Sequence, residues 1–572
     1  MGKLPGLPRS GIRLTDLRFF TKETRHETAD RLQPPLREGW HPLAPVRHLI
    51  ARLEQQRWCV PALAVFFFLC TAQILSSNLP LPLHALSVVG VLLLVAFLLG
   101  ALAAYVWALQ PKEIRRPRNL ALLGTVLLLV LLLNRYGILI IASLLQSYPH
   151  IPLSAMRAGL PVPLGGVLLT ILFNARLAFA GSLVLTILTG IMVAAPIDYF
   201  LYSFVGSLVG VFYLARHRGR TAFFQAGGIM ALANVYTLLA FALIDGDLST
   251  LRAEIVGGLL NGAIVAVMAN GLLPLLEHSF GRTTDFTLLE LSNLNEPMLR
   301  HLALVSPGTY HHSIMVGTLA EAAAEAVGAN ALLCRVGAYY HDIGKTRHPA
   351  YFIENSRDAA LRHDKLAPSL SRAIVMSHVK EGIEMARAYG LPEVLVELIP
   401  QHHGRRLVHF FYQRAKETAD PDLQAVQEED YRYPGPKPQT REAAILMLAD
   451  AVEAAARTLT DPTPARIQGA VQKIINGIFV DGQLDECDLT LRDLHRMANS
   501  FVRILAGLFH HRVDYPGIQL QETGKKRSEN GDQPAKSAKE DSRRDAMAKK
   551  GGTKGAVPPG SAEGGVQRAA GG

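Results

Sequence analysis

The C-terminal half of the chain contains histidine and aspartate side chains of the types that bind divalent metals. The set comprises His311-His312, His341-Asp342, His378, His402-His403 and Asp450. Each group is predicted to lie on, or at the end of, a different helix, and helices that pack side by side can direct such side chains to one point. Imidazoles and carboxylates suit Mn, Fe, Co, Ni or Zn. The absence of thiolates disfavours a closed structural zinc site.

These candidate ligands are too many for one tetrahedral ion. Two ions roughly 3.5–4 Å apart accommodate them if they share a carboxylate, and Asp342 is the best candidate for that bridge. Such a pair activates a water molecule and neutralises the oxygens of a phosphate. Lys345 follows three residues after Asp342 and is placed to provide a point charge for a substrate phosphate. A lone buried histidine is more often a packing residue, but five such groups on successive helices favour a metal centre.

The segments that carry these ligands are predicted to be helical. From about 303 to 515, apolar residues recur at helical spacing, there is little alternation typical of strands, and no glycine-rich phosphate loop is found. The proline-containing stretch 419–440 is the main break. Residues 277–302 are predicted to form a helical linker that precedes this domain.

The half that precedes the linker has the composition of a membrane domain. Hydrophobic residues make up 49% of the chain and charged residues only 19%, against about 25% in an average soluble protein. A span needs about 20 apolar residues. We predict eight spans, of which the first stands apart and the other seven form a domain over 83–276. They are 58–76, 83–109, 120–145, 160–174, 177–195, 197–214, 222–244 and 254–276.

Loop charge predicts the orientation of these spans. The first 57 residues carry eleven Lys/Arg, and the loops 110–119 and 215–221 are also basic. All three fall on one side if eight spans cross, and Lys/Arg marks the cytoplasmic side. Both termini and the metal-ligand domain are therefore predicted to be cytoplasmic. The predicted spans 160–174 and 177–195 are separated only by Ala175-Arg176 and are expected to form a tight helical hairpin.

The remaining composition excludes several classes of protein. Four cysteines without metal-site spacing exclude a disulfide scaffold and are expected to be small core residues. The net charge of +10 is concentrated in the membrane loops and the ends of the chain, so a nucleic-acid polymer is not an expected partner. Residues 522–572 lack apolar periodicity and are predicted to be a disordered tail. The spans lack paired intramembrane charges, which disfavours an ion-coupled transporter that carries a regulatory domain.

Several motifs over roughly 83–515 resemble one known family. The sequence is similar to the HD-domain metal phosphohydrolases and, within them, to the seven-transmembrane-receptor HD proteins of the PgpH type, which are cyclic di-AMP phosphodiesterases. The most specific stretches are Pro307-Gly308-Thr309-Tyr310-His311-His312-Ser313, Tyr340-His341-Asp342-Ile343-Gly344-Lys345, Tyr351-Phe352-Ile353-Glu354-Asn355, Ser377-His378-Val379, Gln401-His402-His403-Gly404, Tyr433-Pro434-Gly435-Pro436-Lys437-Pro438 and Leu448-Ala449-Asp450-Ala451-Val452-Glu453-Ala454.

The resemblance implies an all-α protein, with a polytopic transmembrane helical bundle followed by an all-helical cytoplasmic HD domain over 303–515. It implies a multi-pass protein of the bacterial inner membrane that hydrolyses a cyclic dinucleotide to the linear dinucleotide pApA, with two Mn or Fe ions. His311 is a poorer candidate ligand. The resemblance assigns His312, His341, Asp342 and Asp450 to one ion, and Asp342, His378, His402 and His403 to the other.

The chain departs from that family between its first two spans. Members carry a large extracytoplasmic sensing domain there, whereas this chain has about six residues, 77–82. A signal is therefore expected to enter through the bundle or the cytoplasm. Two alternative functions stay open. One is hydrolysis of cyclic di-GMP or another nucleotide by the same site, and the other is a membrane receptor that binds nucleotide without hydrolysing it. The oligomeric state is also open, and a homodimer is one candidate. The chain lacks the Gly-Tyr-Pro signature of the cyclic di-GMP enzymes, which disfavours that substrate.

Overall fold

A computed structural model describes residues 58–76, 85–110, 115–194, 197–217, 219, 221–418 and 426–508. Over these residues the secondary structure is helical and no strand is formed, which confirms the predicted all-α class. The predicted N-terminal basic segment 1–57, the loop 77–82 and the tail 522–572 lie outside the described residues.

The N-terminal part of the fold is a bundle of long apolar helices. Seven of the described helices are long and apolar enough to cross a membrane. We label them together with two short helices that interrupt the series. In chain order they are α1 (Cys59–Ser76), α2 (Ala85–Leu109), α3 (Pro117–Ser147), α4 (Leu153–Ala158), α5 (Leu164–Leu172), α6 (Ala175–Val193), α7 (Ile197–Leu214), α8 (Thr221–Asp245) and α9 (Leu251–Phe280).

The prediction that 160–174 forms a spanning helix is wrong. This segment contains only the nine-residue helix α5, which at 1.5 Å per residue extends about 14 Å and is less than half of a bilayer core. Pro161 and Pro163 explain the short helix, because proline disfavours helical geometry in the residue before it and cannot donate a helical hydrogen bond.

The broken segment nevertheless runs between the two ends of the bundle. At one end, the Arg157 guanidinium donates to Val193 O, at the end of α6. At the other end, Asn174 Nδ2 donates to Gln110 Oε1, just after α2. Between these ends an irregular stretch of about four residues precedes α5. The chain therefore passes from one end of the bundle to the other without a continuous helix.

Non-helical backbone at membrane depth requires protein partners, since lipid offers none. Residues 160–170 are all buried inside the bundle. The carbonyl oxygen of Leu160 accepts a hydrogen bond of 2.6 Å from Asn261 Nδ2 on α9. Asn261 Oδ1 accepts in turn from Asn234 Nδ2 on α8, at 3.1 Å. These two buried asparagines thus satisfy the irregular backbone from side chains of the neighbouring helices.

The helices around this network pack very closely. A Cβ atom on Gly227 would lie 2.6 Å from the carbonyl oxygen of Gly262, and one on Gly262 would lie 2.3 Å from that of Gly227. Only glycine permits this approach of α8 and α9, as in the small-residue interfaces typical of membrane helices.

The C-terminal part of the fold is a helical domain joined to α9 by a short linker. Gly281 ends α9 in the left-handed conformation, and Arg118 at the start of α3 donates to its carbonyl oxygen. The helices that follow are α10 (Asp285–Leu291), α11 (Pro297–Val305), α12 (Pro307–Val327), α13 (Ala331–Tyr340), α14 (Ala359–Asp364), α15 (Pro368–Tyr389), α16 (Glu393–Gln401), α17 (His409–Thr418), α18 (Arg441–Arg457), α19 (Pro464–Val480) and α20 (Leu491–Leu508).

Helix α18 is the central helix of this domain. Residues 443–453 are all buried, so the helix is apolar on every side and is surrounded by α12, α13, α16, α19 and α20. Asp450 lies in this buried stretch, among otherwise apolar neighbours. A buried carboxylate needs a cation or hydrogen-bond donors, and the ends of the surrounding helices supply them.

Candidate metal centre

Five elements, together with α18 and its Asp450, direct polar side chains toward one location. His312 lies near the start of α12, where Pro307 occupies the first turn. His341 ends α13, and Asp342 begins a 3₁₀ turn over Ile343–Arg347. His378 lies on α15 and His402 ends α16. The helices place these residues at one location although up to 138 positions separate them in the sequence, from 312 to 450.

One group of potential ligands surrounds one oxygen of Asp342. Asp342 Oδ2 lies 3.2 Å from His341 Nε2 and 3.6 Å from His312 Nε2. His312 Nε2 also lies 3.0 Å from Asp450 Oδ1, and His341 Nε2 lies 3.9 Å from the same oxygen. The ligand atoms of His312, His341 and Asp342 fall within 4.8 Å of one another, a spacing that one metal ion could occupy.

A second group lies on the other oxygen of the same carboxylate. Asp342 Oδ1 is 3.4 Å from His378 Nε2 and 3.7 Å from His402 Nε2. His378, His402 and His403 again present ligand atoms within 4.8 Å of one another. The His403 ring stacks on Tyr433, with centroids 4.2 Å apart. Asp342 therefore lies between two groups that could each hold a metal, one on each of its oxygens.

The imidazoles are oriented with Nε2 toward this centre. Each Nδ1 faces a backbone carbonyl of its own helix: His341 that of Ala338 at 2.7 Å, His378 that of Val375 at 2.5 Å, and His402 that of Ile399 at 2.5 Å. The carbonyls accept, so Nδ1 carries the proton and Nε2 presents a lone pair. The Nε2 atoms of these three histidines and Asp342 Oδ1 are buried and have no hydrogen-bond partner among the described residues. Orphaned lone pairs of this kind fit a metal-binding site.

The electrostatics of the second group keep its histidines neutral. Burial, together with the neighbouring His341, lowers the pKa of His402 to about 3. Burial likewise lowers the pKa of His378, and it holds that of His403 well below its usual range. Ligating imidazoles must be unprotonated, so this group needs no proton removal before it can bind a cation near neutral pH.

His312 differs because two carboxylates contact its ring. Burial alone would lower its pKa, but hydrogen bonds with Asp450 and Glu453 outweigh it and raise the pKa to about 9. The same pairing, against the cost of burial, holds the pKa of Asp450 far below its usual range. His341 and Lys345 likewise outweigh burial and hold the pKa of Asp342 well below its usual range. Both aspartates are therefore ionised near neutral pH.

The structure places the other predicted residues less centrally. Lys345 Nζ is 2.7 Å from Asp342 Oδ2 and 2.8 Å from Glu354 Oε1, so its charge is engaged in two ion pairs beside the centre. Against burial, these carboxylates raise its pKa, which keeps it protonated. His311 is exposed and does not face the ligand groups, in agreement with its lower rank among the sequence candidates.

Two carboxylates at the site were not predicted. Glu453 Oε2 accepts from His312 Nδ1 at 2.6 Å, and Glu453 Oε1 accepts from Arg457 Nε at 2.5 Å. Glu354 pairs with Lys345. Glu453 follows Asp450 by three positions on α18, so both share one helix face, and that spacing could have indicated it. Glu354 lies in an irregular segment, where no spacing rule applies.

A glycine fixes the approach of the Asp342 turn to α15. A Cβ atom on Gly344 would lie 1.9 Å from the carbonyl oxygen of His378. Any side chain at this position would push apart two of the elements that hold ligands. Gly344 thus has a positional role beyond closing the turn.

The comparisons with known proteins agree with this arrangement. Residues 85–284 match the family described as a 7TM receptor with intracellular HD hydrolase, and residues 309–455 match the HD domain. The chain is 39% identical over 439 residues to the cyclic-di-AMP phosphodiesterase PgpH of Bacillus subtilis, a match covering 75% of this chain and 60% of that protein. It is 39% identical over 363 residues to PgpH of Listeria monocytogenes, covering 62% and 50% respectively. The chain thus spans little more than half the length of these relatives.

A crystal structure of the L. monocytogenes PgpH HD domain in complex with cyclic di-AMP is also similar. It is 46% identical, and the match covers 38% of this chain and 100% of that one, with a TM-score of 0.36. The seven long apolar helices, the helical domain with its ligand groups and the two matched regions occur in the same order along the chain. The chain therefore belongs to the family of 7TM receptors with an intracellular HD hydrolase domain.

Proposed function

We propose that this chain is a membrane-anchored, metal-dependent phosphodiesterase that hydrolyses cyclic di-AMP to linear pApA. The observation that carries this proposal is the position of Asp342 between two groups of buried, orphaned imidazole nitrogens. Such a paired site suits two cations about 3.5–4 Å apart, the arrangement used to hydrolyse phosphate esters. The named activity of the PgpH relatives supports the choice of substrate.

The ligand assignment follows the two groups. His312, His341, Asp342 and Asp450 would hold one cation, and Asp342, His378, His402 and His403 the other. Mn or Fe is the proposed identity, because imidazoles and carboxylates without thiolates suit these ions. When bound, the cations would supply activation of water and neutralisation of phosphate charge.

The residues of the chain have distinct parts in this reaction. Asp342 bridges the two groups and fixes their separation. Lys345, held protonated beside it, supplies a positive charge at the edge of the site, where the phosphodiester would bind. The backbone carbonyls behind His341, His378 and His402 fix the tautomer and the orientation of each ring.

The same site has two alternative functions. The same site could accept cyclic di-GMP or another nucleotide, since the site's geometry around the phosphate does not depend on the base. A receptor that binds without hydrolysing would be expected to have lost a ligand, whereas the sequence retains all seven candidate ligands. The observation therefore favours a hydrolase, and the relatives favour cyclic di-AMP.

The proposed location is the bacterial inner membrane, with the HD domain in the cytoplasm. The apolar helices make the chain a multi-pass membrane protein. The side is inferred from the basic residues of the segments 1–57, 110–119 and 215–221, which fall on the side of the HD domain when the spans are counted along the sequence.

Replacing His341-Asp342 by Ala-Ala tests the site. We expect hydrolysis of cyclic di-AMP to be lost while the helical circular dichroism spectrum persists, because the exchange removes the bridge and one imidazole. The matched control is Asp488→Ala with His495→Ala, an exposed pair of the same residue types in the same domain, which should hydrolyse at the unaltered rate. Survival of turnover in the first variant would refute the assignment. Parallel assays with cyclic di-GMP decide the substrate.

A further inference from the structure

A cavity separate from the candidate metal centre lies in the membrane bundle, at the end remote from the HD domain. It has a volume of about 180 Å³, opens to solvent on one side, and is lined by the start of α7, the end of α8, the start of α9 and helix α4. Helix α9 places it far from the metal centre, since the lining residue Glu254 lies in the first turn of α9 and the HD linker follows 26 residues later, after Phe280. None of the residues of the candidate metal centre lines it.

The walls of this cavity combine aromatic and charged side chains. Tyr199, Tyr202 and Phe241 provide rings, and the lining also contains the Arg157 guanidinium. Tyr199 is only 9% exposed, and its hydroxyl lacks a hydrogen-bond partner among the described residues. Tyr202 is fixed by donating to the carbonyl oxygen of Ala158 at 2.7 Å. The rings are therefore held in place by the bundle itself.

The charge of the cavity is strongly negative. Four carboxylates line it, against one guanidinium, which leaves a formal charge of −3. No ion pair within 4.0 Å joins any of these carboxylates to a basic group in the described part of the chain; the Arg157 guanidinium instead donates to Val193 O. The four are Asp198, Asp245, Asp247 and Glu254.

The carboxylates are too dispersed for a metal ion. The described residues contain two groups of three ligand atoms within 4.8 Å of one another, and both lie in the HD domain. A cation that fills this cavity must therefore be large enough to interact with separate carboxylates and with the rings. An engineered cavity of about 150 Å³ accepts benzene, so 180 Å³ suits a molecule slightly larger than that.

We propose that this cavity is a binding site for a small organic cation, an amine with a ring-sized apolar body. The ammonium group would neutralise the carboxylates, of which Asp198 and Glu254 are half-buried and Asp245 and Asp247 are exposed. The aromatic faces would attract the same cation. The apolar body would pack on Phe241 and Ala242. By the orientation proposed above, the ligand would enter from outside the cytoplasm.

Benzylamine, which is protonated at neutral pH, tests this site on the full chain in lipid nanodiscs. Calorimetric titration should show saturable binding. Benzyl alcohol, which has the same shape without charge, should bind at least about tenfold more weakly, since tenfold corresponds to about 1.4 kcal/mol and an uncompensated cation–carboxylate contact provides that much. Equal binding of the two compounds, or no saturable binding of benzylamine, would overturn the proposal.

Variants of the residues that line the cavity test whether benzylamine binds there. Asp198→Asn with Glu254→Gln should weaken benzylamine at least about tenfold, whereas Arg157→Gln should strengthen it because a like charge is removed. Glu384→Gln, an exposed carboxylate on α15, is the matched control and should leave the affinity unchanged. The unliganded melting temperature of each variant reports whether it folds. If the folded acidic-site variant binds as the unaltered chain does, or if Arg157→Gln weakens binding while the fold persists, the assignment is wrong.

Discussion

At the scale of single residues, the HD site depends on groups that hold its imidazoles as much as on the imidazoles themselves. His341, His378 and His402 each use a carbonyl of the preceding helical turn, which any sequence would supply. His312 instead uses the carboxylate of Glu453. A carboxylate behind an imidazole increases its basicity and fixes its tautomer, so Glu453 tunes one ligand group and not the other.

Replacing Glu453 by Gln should therefore weaken one of the two metal sites. Loss of such a partner costs about 10–100-fold in metal affinity. Titration of the metal-free chain with Mn²⁺ should show one binding step weakened by that factor and the other unchanged. Glu384→Gln serves as the control, since its carboxylate is exposed and pairs with Lys380 on the surface of α15. Equal weakening of both steps, or of neither, would contradict the role assigned to Glu453.

At the scale of elements, the long helices are well predicted from sequence and the broken one is not. The predicted span 58–76 is observed as Cys59–Ser76, and 120–145 as Pro117–Ser147. Hydropathy succeeds here because a continuous helix is the only lipid-exposed way to satisfy the backbone. It fails for 160–174 because that segment is covered by protein, where Asn261 satisfies the chain instead. Pro161 and Pro163 were the residues in the sequence that could have indicated the break in this helix.

The convergence of the candidate ligands on one location was also predictable from the sequence. Paired residues such as His341-Asp342 and His402-His403 at predicted helix ends carry a recognisable pattern. Glu354 and Tyr433 do not, because their contacts depend on how an irregular segment folds over the site. Their side-chain types are common at many positions, and only the packed structure brings them to Lys345 and His403.

Replacing Asn261 by Leu tests the account of the broken crossing. The exchange leaves the Leu160 carbonyl without its buried donor and Asn234 without one of its two acceptors. This should lower the free energy of unfolding by about 1–3 kcal/mol. Thermal or steric-trap unfolding of the full chain in detergent measures this change. Asn476→Leu, on the exposed face of α19, is the matched control and should have little effect. An unchanged stability of Asn261→Leu would contradict the proposed support of the irregular backbone.

At the scale of the whole molecule, the chain joins a membrane bundle to an HD domain through continuous helical structure. Helix α9 runs through the predicted boundary at 276 to Phe280, and Arg282 of the linker donates to the carbonyl oxygen of Leu172, at the end of α5. The linker therefore contacts the broken crossing directly. By the orientation proposed above, the candidate ligand groups would face the cytoplasm.

Membrane vesicles of opposite orientation test this sidedness. Inside-out vesicles expose cytoplasmic groups, so they should hydrolyse externally added cyclic di-AMP, whereas sealed right-side-out vesicles should do so only after detergent is added. The membrane is impermeable to the charged dinucleotide, which makes the comparison direct. Hydrolysis by sealed right-side-out vesicles alone would place the HD domain on the other side.

The most direct test of the central claim is to count the metal ions and the product together. The full chain is stripped with EDTA, reconstituted with Mn²⁺, and assayed for bound manganese and for conversion of cyclic di-AMP to pApA. We predict about two ions per chain and hydrolysis that appears only when both are bound, because Asp342 serves both ligand groups. A chain that binds both ions without forming pApA, or one that hydrolyses at its full rate after the metal is removed, would contradict the account.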